Sequence, residues 1–154
     1  MEFVIDRTIE VNAPATALWE VLTDLPRYGE WNPFCLTARS SLKPGETIEM
    51  TVQLTAKPQQ VVEWIKEFVP GRRFAYSMKA IPLGALSSLR SHDVEPLANG
   101  RARYRSYFQL KGWMMPLVRA LYGPNLNLGF SAMTDAVGQR AEQLAQVGKP
   151  RTVR

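Results

Sequence analysis

Apolar and polar positions alternate with a period of two through the middle of the chain, and helical spacing appears at both ends. Between residues 48 and 54, every second side chain is apolar, which is the pattern of a half-buried strand. A further strand begins near Cys35. The same period of two recurs over residues 3–11, 61–69, 73–80, 86–96 and 101–111. The sequence therefore predicts seven antiparallel strands.

Helical patterns flank these strands. Ala15, Leu18 and Leu22 share one helix face, and a short helical turn follows over residues 27–31. Residues 115–146 predict a long C-terminal helix, whose apolar face repeats every three or four residues: Leu126, Phe130, Met133, Val137 and Leu144. Gly123-Pro124 falls inside this pattern, and proline lacks the amide donor, so we expect a break or kink there.

The order of these elements predicts an α+β fold, because a sheet built between two helical regions can wrap around the last helix. With 154 residues, 45% of them hydrophobic, the chain has the size of one domain. We assign this domain to residues 1–147 and a basic tail to residues 148–154. A helix held by a curved sheet leaves room for a cavity, which suggests a protein that holds an apolar small molecule.

The composition excludes several classes of site. One cysteine and one histidine supply neither a disulfide nor a zinc site, so we expect no metal and no cofactor. No window approaches the roughly 20 apolar residues needed to cross a bilayer, and no signal peptide is visible at the N-terminus. These features predict a soluble, cytoplasmic protein without a transmembrane segment.

The net charge of +5 raises the question of a nucleic-acid or membrane partner. Arg101, Arg103 and Arg105 alternate along one strand, so they share one face. A solvated outer face of the sheet explains this stripe. The sequence shows no basic recognition helix and no interleaving of basic and aromatic residues, so we expect no nucleic-acid partner.

Both ends of the chain resemble a known family. The residues that carry the resemblance are Ala13-Pro14, Leu18-Trp19, Leu22-Thr23-Asp24, Tyr28, Trp31-Asn32-Pro33-Phe34, Pro116-Leu117, Gly129-Phe130 and Arg140-Ala141-Glu142. They are similar to the polyketide cyclase/dehydrase branch of the START and birch-pollen-allergen superfamily, often called SRPBCC. The resemblance implies a helix-grip fold, with two short helices after the first strand and a seven-stranded antiparallel sheet around a long C-terminal helix.

A hydrophobic cavity between sheet and helix is part of what the resemblance implies. Strand alternation and the helix face predict its lining: Trp31, Met50, Val52, Tyr76, Met78, Tyr104, Ser106, Phe108, Leu126, Phe130 and Met133. Each of these side chains could equally belong to an ordinary core. The motifs are packing signatures, so they indicate a fold better than a reaction.

Catalysis would need a titratable group in that cavity. His92 and Arg90 share one strand face, so His92 could act as a general base while Arg90 stabilises an enolate. A structural histidine is the alternative. Members of the family often carry a carboxylate in the last strand where this chain has Phe108, which favours binding over chemistry.

The leading hypothesis is a carrier or sensor for a hydrophobic small molecule, which could be lipid-like, aromatic or polyketide-like. One alternative is a cyclase or dehydratase that acts on a polyketide-like substrate. Another is a protein or membrane interaction module, because the loop at residues 81–85 is apolar where loops normally meet water. That loop could instead cover the cavity or pack in a homodimer.

Overall fold

Seven strands form a single antiparallel sheet in the order β1-β7-β6-β5-β4-β3-β2. The computed structural model describes residues 1–148. Its strands are β1 (Glu2–Val11), β2 (Cys35–Ser40), β3 (Thr47–Val52), β4 (Gln59–Val69), β5 (Arg73–Ser77), β6 (Ser87–Pro96) and β7 (Ala102–Lys111). The seven predicted strands are thereby confirmed, although β5 ends three residues earlier than the alternation suggested.

Two α-helices accompany the sheet: α1 (Ala15–Thr23) and α2 (Met115–Val147). A 3-10 helix, Leu25–Glu30, links α1 to β2, and shorter 3-10 turns occur at Pro82–Gly84 and Ala98–Gly100. The helix α2 packs against β1, β7 and α1, which confirms the helix-grip fold. The predicted basic tail falls almost entirely on residues 149–154, outside the described residues.

The helix α2 continues through Pro124, so of the predicted break or kink at residues 123–124 the break is wrong, while the kink stays a prediction. Two local features let the helix pass this residue. A proline ring clashes with the Cβ of the preceding residue in a helix, and Gly123 has none. Pro124 also leaves the Ala120 carbonyl without its helical donor, but Ala120 is exposed, so water can bind this carbonyl.

The inner face of β1 contacts α2 through both apolar and polar groups. Phe3, Ile5 and Val11 are buried, as the alternation predicted. Arg7 interrupts this face and reaches α2, where it donates to the Ser131 carbonyl at 2.9 Å and pairs with Asp135 at 3.0 Å. The polar position in β1 therefore joins the strand to the helix.

The hairpin between β6 and β7 turns at Asn99-Gly100, and its arginines lie on the predicted outer face. Asn99 and Gly100 both have positive φ, at 61° and 69°, a conformation that these two residue types tolerate well. On the outer face, Arg105 binds both carboxylate oxygens of Asp6, at 2.9 and 2.7 Å. Arg103 pairs with Glu95 at 3.0 Å. The arginine stripe is thus solvent-facing, and carboxylates of the neighbouring strands compensate much of its charge.

Gly129 of α2 lies directly against Phe34, the residue that precedes β2. A Cβ at this position would lie 2.2 Å from a ring carbon of Phe34. The Phe34 ring is buried and also packs edge-on against Phe130, with ring centroids 4.8 Å apart. The ring therefore has little freedom to move away, and a residue without a side chain is needed at position 129.

We predict that Gly129→Ala destabilises the protein although alanine favours helices. Overpacking costs about 1–3 kcal/mol, whereas the gain in helix propensity is about 1 kcal/mol. We expect a net loss of about 1–2 kcal/mol in the free energy of unfolding, measured by urea denaturation. Leu128→Ala, at an adjacent exposed position, is the control and should change stability by less than about 0.5 kcal/mol. A more stable Gly129→Ala protein would contradict this packing argument.

Candidate ligand cavity

A cavity of about 150 Å³ lies between the inner face of the sheet and α2. Thirteen residues line it: Phe34, Cys35, Met50, Val52, Leu54, Val61, Glu63, Tyr76, Arg90, Phe108, Leu126, Phe130 and Met133. Strands contribute most of this wall, because alternate side chains point to the same face. The helix α2 closes the other side with three apolar residues one turn apart. Glu63 and Arg90 are the two charged residues in this lining.

Aromatic rings stack at the junction of sheet and helix. The rings of Phe108 and Phe130 have centroids 4.5 Å apart and lie nearly parallel. The Arg90 guanidinium lies over the Phe130 ring of this stack, with Cζ 4.6 Å from the ring centroid. This wall therefore offers both a flat apolar surface and a cation–π contact.

Seven of the predicted lining residues do line this cavity: Met50, Val52, Tyr76, Phe108, Leu126, Phe130 and Met133. They come from β3, β5, β7 and α2. Strand alternation and helical spacing had thus indicated that these residues face the same interior space. Their contact with a ligand stays a prediction.

Four other predicted lining residues lie elsewhere. Trp31 packs edge-on against Tyr28, 5.1 Å between centroids, and lines a surface pocket near Arg140. Met78 follows the end of β5 and lines a surface depression with Trp64. The apolar alternation that placed it inside continues in the sequence, but the strand itself ends at Ser77.

Tyr104 and Ser106 lie in the interior but outside the cavity lining. Both are buried, and neither is among the residues that line it. Ser106 accepts a hydrogen bond from Arg90 Nη1 at 2.7 Å. The Tyr104 hydroxyl shares a hydrogen bond of 2.7 Å with His92 Nδ1. They support the cavity wall from behind.

Arg90 is a buried cation whose hydrogen-bonding capacity is only partly used. It is 2% exposed, and its Nη1 donates to Ser106 Oγ and to the Tyr107 carbonyl, the latter at 3.2 Å. Its Nη2 lies 3.8 Å from the Met133 sulfur, a weak acceptor. Its Nε has no partner in residues 1–148. The guanidinium therefore keeps donors available beside the cavity.

Glu63 is a cavity residue that the sequence analysis missed. Burial raises the pKa of its carboxyl to about 7, and the positive charge of Arg90 opposes this rise. One feature of the sequence could have indicated that Glu63 faces the interior: it lies between the apolar residues Val61 and Ile65 on one strand face. Val62 and Trp64 occupy the other face, so both faces of β4 look apolar and the alternation does not show which one turns inward.

His92 lies behind the cavity wall. It is fully buried and is not part of the cavity lining. Burial, together with the charge of Arg90, holds the pKa of its imidazole well below the usual range, so the ring is neutral. Its catalytic role stays a prediction, and the geometry agrees better with the structural alternative.

The thiol and phenol of the lining are also neutral. Burial raises the pKa of Cys35 to about 12, and burial raises the pKa of Tyr76 as well. In both cases the charge of Arg90 acts in the opposite direction. Neither group offers a ready nucleophile at neutral pH.

A larger groove of about 600 Å³ lies on the surface where β1 meets the first turns of α2. Its walls include Phe3, Met115 and Arg119. The groove is open to solvent, and a ligand there would keep much of its surface in water. The smaller cavity is more enclosed and more apolar than this groove, as small-molecule sites usually are.

The apolar loop at residues 81–85 lies outside the cavity lining. Leu83 is 93% exposed, and its carbonyl accepts a hydrogen bond from Trp113 Nε1 at 3.2 Å. Ala85 is buried. The roles suggested for this loop, as a lid, a dimer contact or a docking surface, stay predictions.

Residues 1–148 lack two features that would indicate other kinds of function. These residues contain no cluster of three or more His, Cys, Asp or Glu side chains placed to bind a metal ion. None of their helices is both long and apolar enough to span a bilayer.

Comparison with known proteins supports the fold. The chain is 28% identical over 143 residues to the ribosome association toxin RatA of Pseudomonas aeruginosa, covering 91% of this chain and 96% of that protein. A START superfamily protein from Mycobacterium smegmatis is 17% identical with a TM-score of 0.68, covering 92% and 98% of the two chains.

Norcoclaurine synthase from Thalictrum flavum, solved in complex with dopamine and hydroxybenzaldehyde, is also similar in structure. It is 16% identical with a TM-score of 0.69, covering 98% of this chain and 90% of that one. At these identities the two solved structures establish the fold and not the activity.

The model of one protein family, described as polyketide cyclase/dehydrase and lipid transport, matches residues 2–147. This match includes all seven strands and both α-helices. The chain therefore belongs to the polyketide cyclase/dehydrase and lipid transport family, within the START-like SRPBCC superfamily.

Proposed function

We propose that this protein binds a small apolar molecule non-covalently in the cavity between the sheet and α2, as a carrier or a sensor. The observation that carries this proposal is the lining itself, in which eleven of thirteen residues are uncharged. Binding sites for small molecules combine such apolar walls with a few polar groups that fix orientation. Glu63 and Arg90 are those groups here.

The size of the cavity limits which ligands can fit. A cavity of about 150 Å³ accommodates a molecule the size of benzene, whereas drug-sized ligands occupy about 300–1,000 Å³. The fit therefore favours one aromatic ring or a short alkyl chain. A longer lipid-like or polyketide-like molecule would require α2 to move away from the sheet. The similar norcoclaurine synthase was solved with dopamine and hydroxybenzaldehyde, and each of these has a single ring.

A cyclase or dehydratase is the second candidate, and one observation favours it. The pKa of about 7 at Glu63 is suitable for a general acid or base at neutral pH. Glu63 and Arg90 both line the cavity, while His92 does not. If chemistry occurs, we expect Glu63 to transfer the proton and Arg90 to stabilise the developing negative charge.

Association with ribosomes is a third candidate, favoured by the similarity to RatA over 91% of this chain. The arginine stripe on β7 is a poor surface for RNA, because Asp6, Glu10 and Glu95 pair with it. We therefore place this role after small-molecule binding.

We predict that filling the cavity abolishes binding of a single-ring probe. Val61→Phe adds a ring to a lining residue, so we expect at least about a tenfold loss of affinity for 4-fluorotoluene, measured by 19F NMR. Val62→Phe is the matched control, because this neighbour is 48% exposed on the opposite strand face. Equal binding by both variants would place the probe outside the cavity.

We predict that Glu63→Gln changes how stability depends on pH. The pKa of Glu63 rises from 4.5 to about 7 on folding. The contribution of this carboxyl to the stability of the folded protein is therefore fully present below pH 4.5 and is lost as pH rises through 7. The variant should equal the wild type at pH 4. At pH 8 we expect the variant to be more stable than the wild type by on the order of 2 kcal/mol. This value is lower than the full pKa shift would give, because Glu63 is partly exposed to solvent.

Urea denaturation at a series of pH values measures this difference. Glu20→Gln, which removes a carboxylate from the exposed face of α1, controls for the loss of a surface charge. Parallel stability curves for wild type and Glu63→Gln from pH 4 to 8 would show that this carboxyl is not desolvated.

We predict that the protein remains in the supernatant when ribosomes are pelleted through a sucrose cushion at physiological salt. The paired arginines leave little free positive charge on the β7 face, and RNA binding depends on such charge. Salt-sensitive co-sedimentation would instead favour the role suggested by RatA.

A further inference from the structure

Arg90 has a free edge suited to a carboxylate. Its Nη1 is occupied by Ser106 and the Tyr107 carbonyl. The opposite edge of the guanidinium, formed by Nε and Nη2, has only the Met133 sulfur at 3.8 Å from Nη2, and Nε has no partner within residues 1–148. This edge presents two parallel N–H groups, which is the geometry that binds carboxylates with two hydrogen bonds.

Another arginine of this protein binds a carboxylate through the corresponding edge. Arg105 holds Asp6 through Nε and Nη2, at 2.9 and 2.7 Å. That pair lies on the outer face of the sheet, where water would solvate an unpaired arginine at little cost. Arg90 lies on the inner face and is 2% exposed. Arg90, the buried arginine, therefore has no anionic partner among the described residues although its position makes one most favourable.

An unpaired charge on the buried inner face of the sheet is unfavourable. Removal of a charge from water costs several kcal/mol unless an opposite charge or good hydrogen bonds compensate it. Two hydrogen bonds and the Phe130 ring compensate Arg90 in part. The one carboxyl in the lining, that of Glu63, forms no ion pair with Arg90 in residues 1–148. An anion that enters the cavity would supply the missing partner.

We propose that the ligand of this cavity is an organic carboxylate with a single ring or a short apolar chain, whose carboxylate binds the Nε and Nη2 edge of Arg90. This inference rests on the proposed binding function and adds the chemical class of the ligand. The stacked rings of Phe108 and Phe130 hold the apolar body, and the cavity of about 150 Å³ limits its size.

Glu63 makes binding of such an anion sensitive to pH. The titratable groups that act on it are Arg90 from β6, Tyr76 from β5 and Cys35 from β2. From α2, the lining residues Leu126, Phe130 and Met133 carry no charge. A bound carboxylate would repel an ionised Glu63 in this low-dielectric space. Binding therefore couples to proton uptake by Glu63, and affinity falls as pH rises above 7.

The decisive comparison uses two ligands of nearly equal shape with the wild-type protein. 4-Fluorobenzoate carries a carboxylate and 4-fluorobenzamide a neutral amide, and 19F NMR detects both directly. We expect the benzoate to bind about 10- to 100-fold more tightly at pH 6.5, the range for hydrogen bonds between charged groups. We also expect its affinity to fall about fivefold from pH 6 to pH 8.

Two variants assign these effects to residues. Arg90→Gln should bind the benzoate and the benzamide with equal affinity. Glu63→Gln should bind the benzoate with an affinity that no longer changes between pH 6 and 8. The ligand comparison in the wild type does not depend on the folding of either variant, so it remains decisive if Arg90→Gln fails to fold.

The outcomes separate this inference from the proposed function. Equal affinities of the wild type for benzoate and benzamide, with 4-fluorotoluene still bound, would overturn the carboxylate assignment and leave apolar binding intact. A folded Arg90→Gln protein that keeps the preference for benzoate would also overturn it. Failure of all three probes to bind would overturn both proposals.

Discussion

The contact between Gly129 of α2 and the ring of Phe34 determines how close the long helix comes to the sheet. A Cβ at this position would lie 2.2 Å from the ring, so the absence of a side chain sets the distance at this end. Phe130, the next residue, then packs between Phe34 and Phe108. The helix is thereby held against Phe34 and Phe108, and all three rings also line the cavity. The cavity is the space that this geometry leaves.

Arg90 is the second constraint, because its position is energetically costly without a partner. A core selected only for stability would place an apolar residue here, since replacement of buried charges by apolar groups is often neutral or stabilising. The structure instead surrounds the guanidinium with supports: Ser106, the Tyr107 carbonyl and the Phe130 ring. These contacts fix its orientation without neutralising its charge. Such preorganisation is typical of a binding group and is difficult to explain by packing alone.

The sequence predicted the fold well and the cavity in part, for identifiable reasons. Strand alternation and helical spacing are strong where one face is apolar and the other polar, so Met50, Phe108 and Phe130 were placed correctly. Glu63 was missed because β4 carries apolar residues on both faces. Met78 was misplaced because the alternation continues beyond the point where β5 ends. Pattern analysis gives the faces of elements, whereas the cavity depends on where elements end and how closely they approach.

The charge of Arg90 also influences which chemistry the interior can support. It lowers the pKa of His92, which burial lowers already, and it opposes the rise in the pKa of Glu63. A second cation beside Arg90 is therefore disfavoured, while one negative charge is favoured. Glu63 is only half-buried and still desolvated, so near pH 7 it competes with any anion for the same positive charge. With the proposed anionic ligand, this competition would give the cavity two states, one with Glu63 ionised and one with Glu63 protonated and the anion bound, and their balance would change near pH 7.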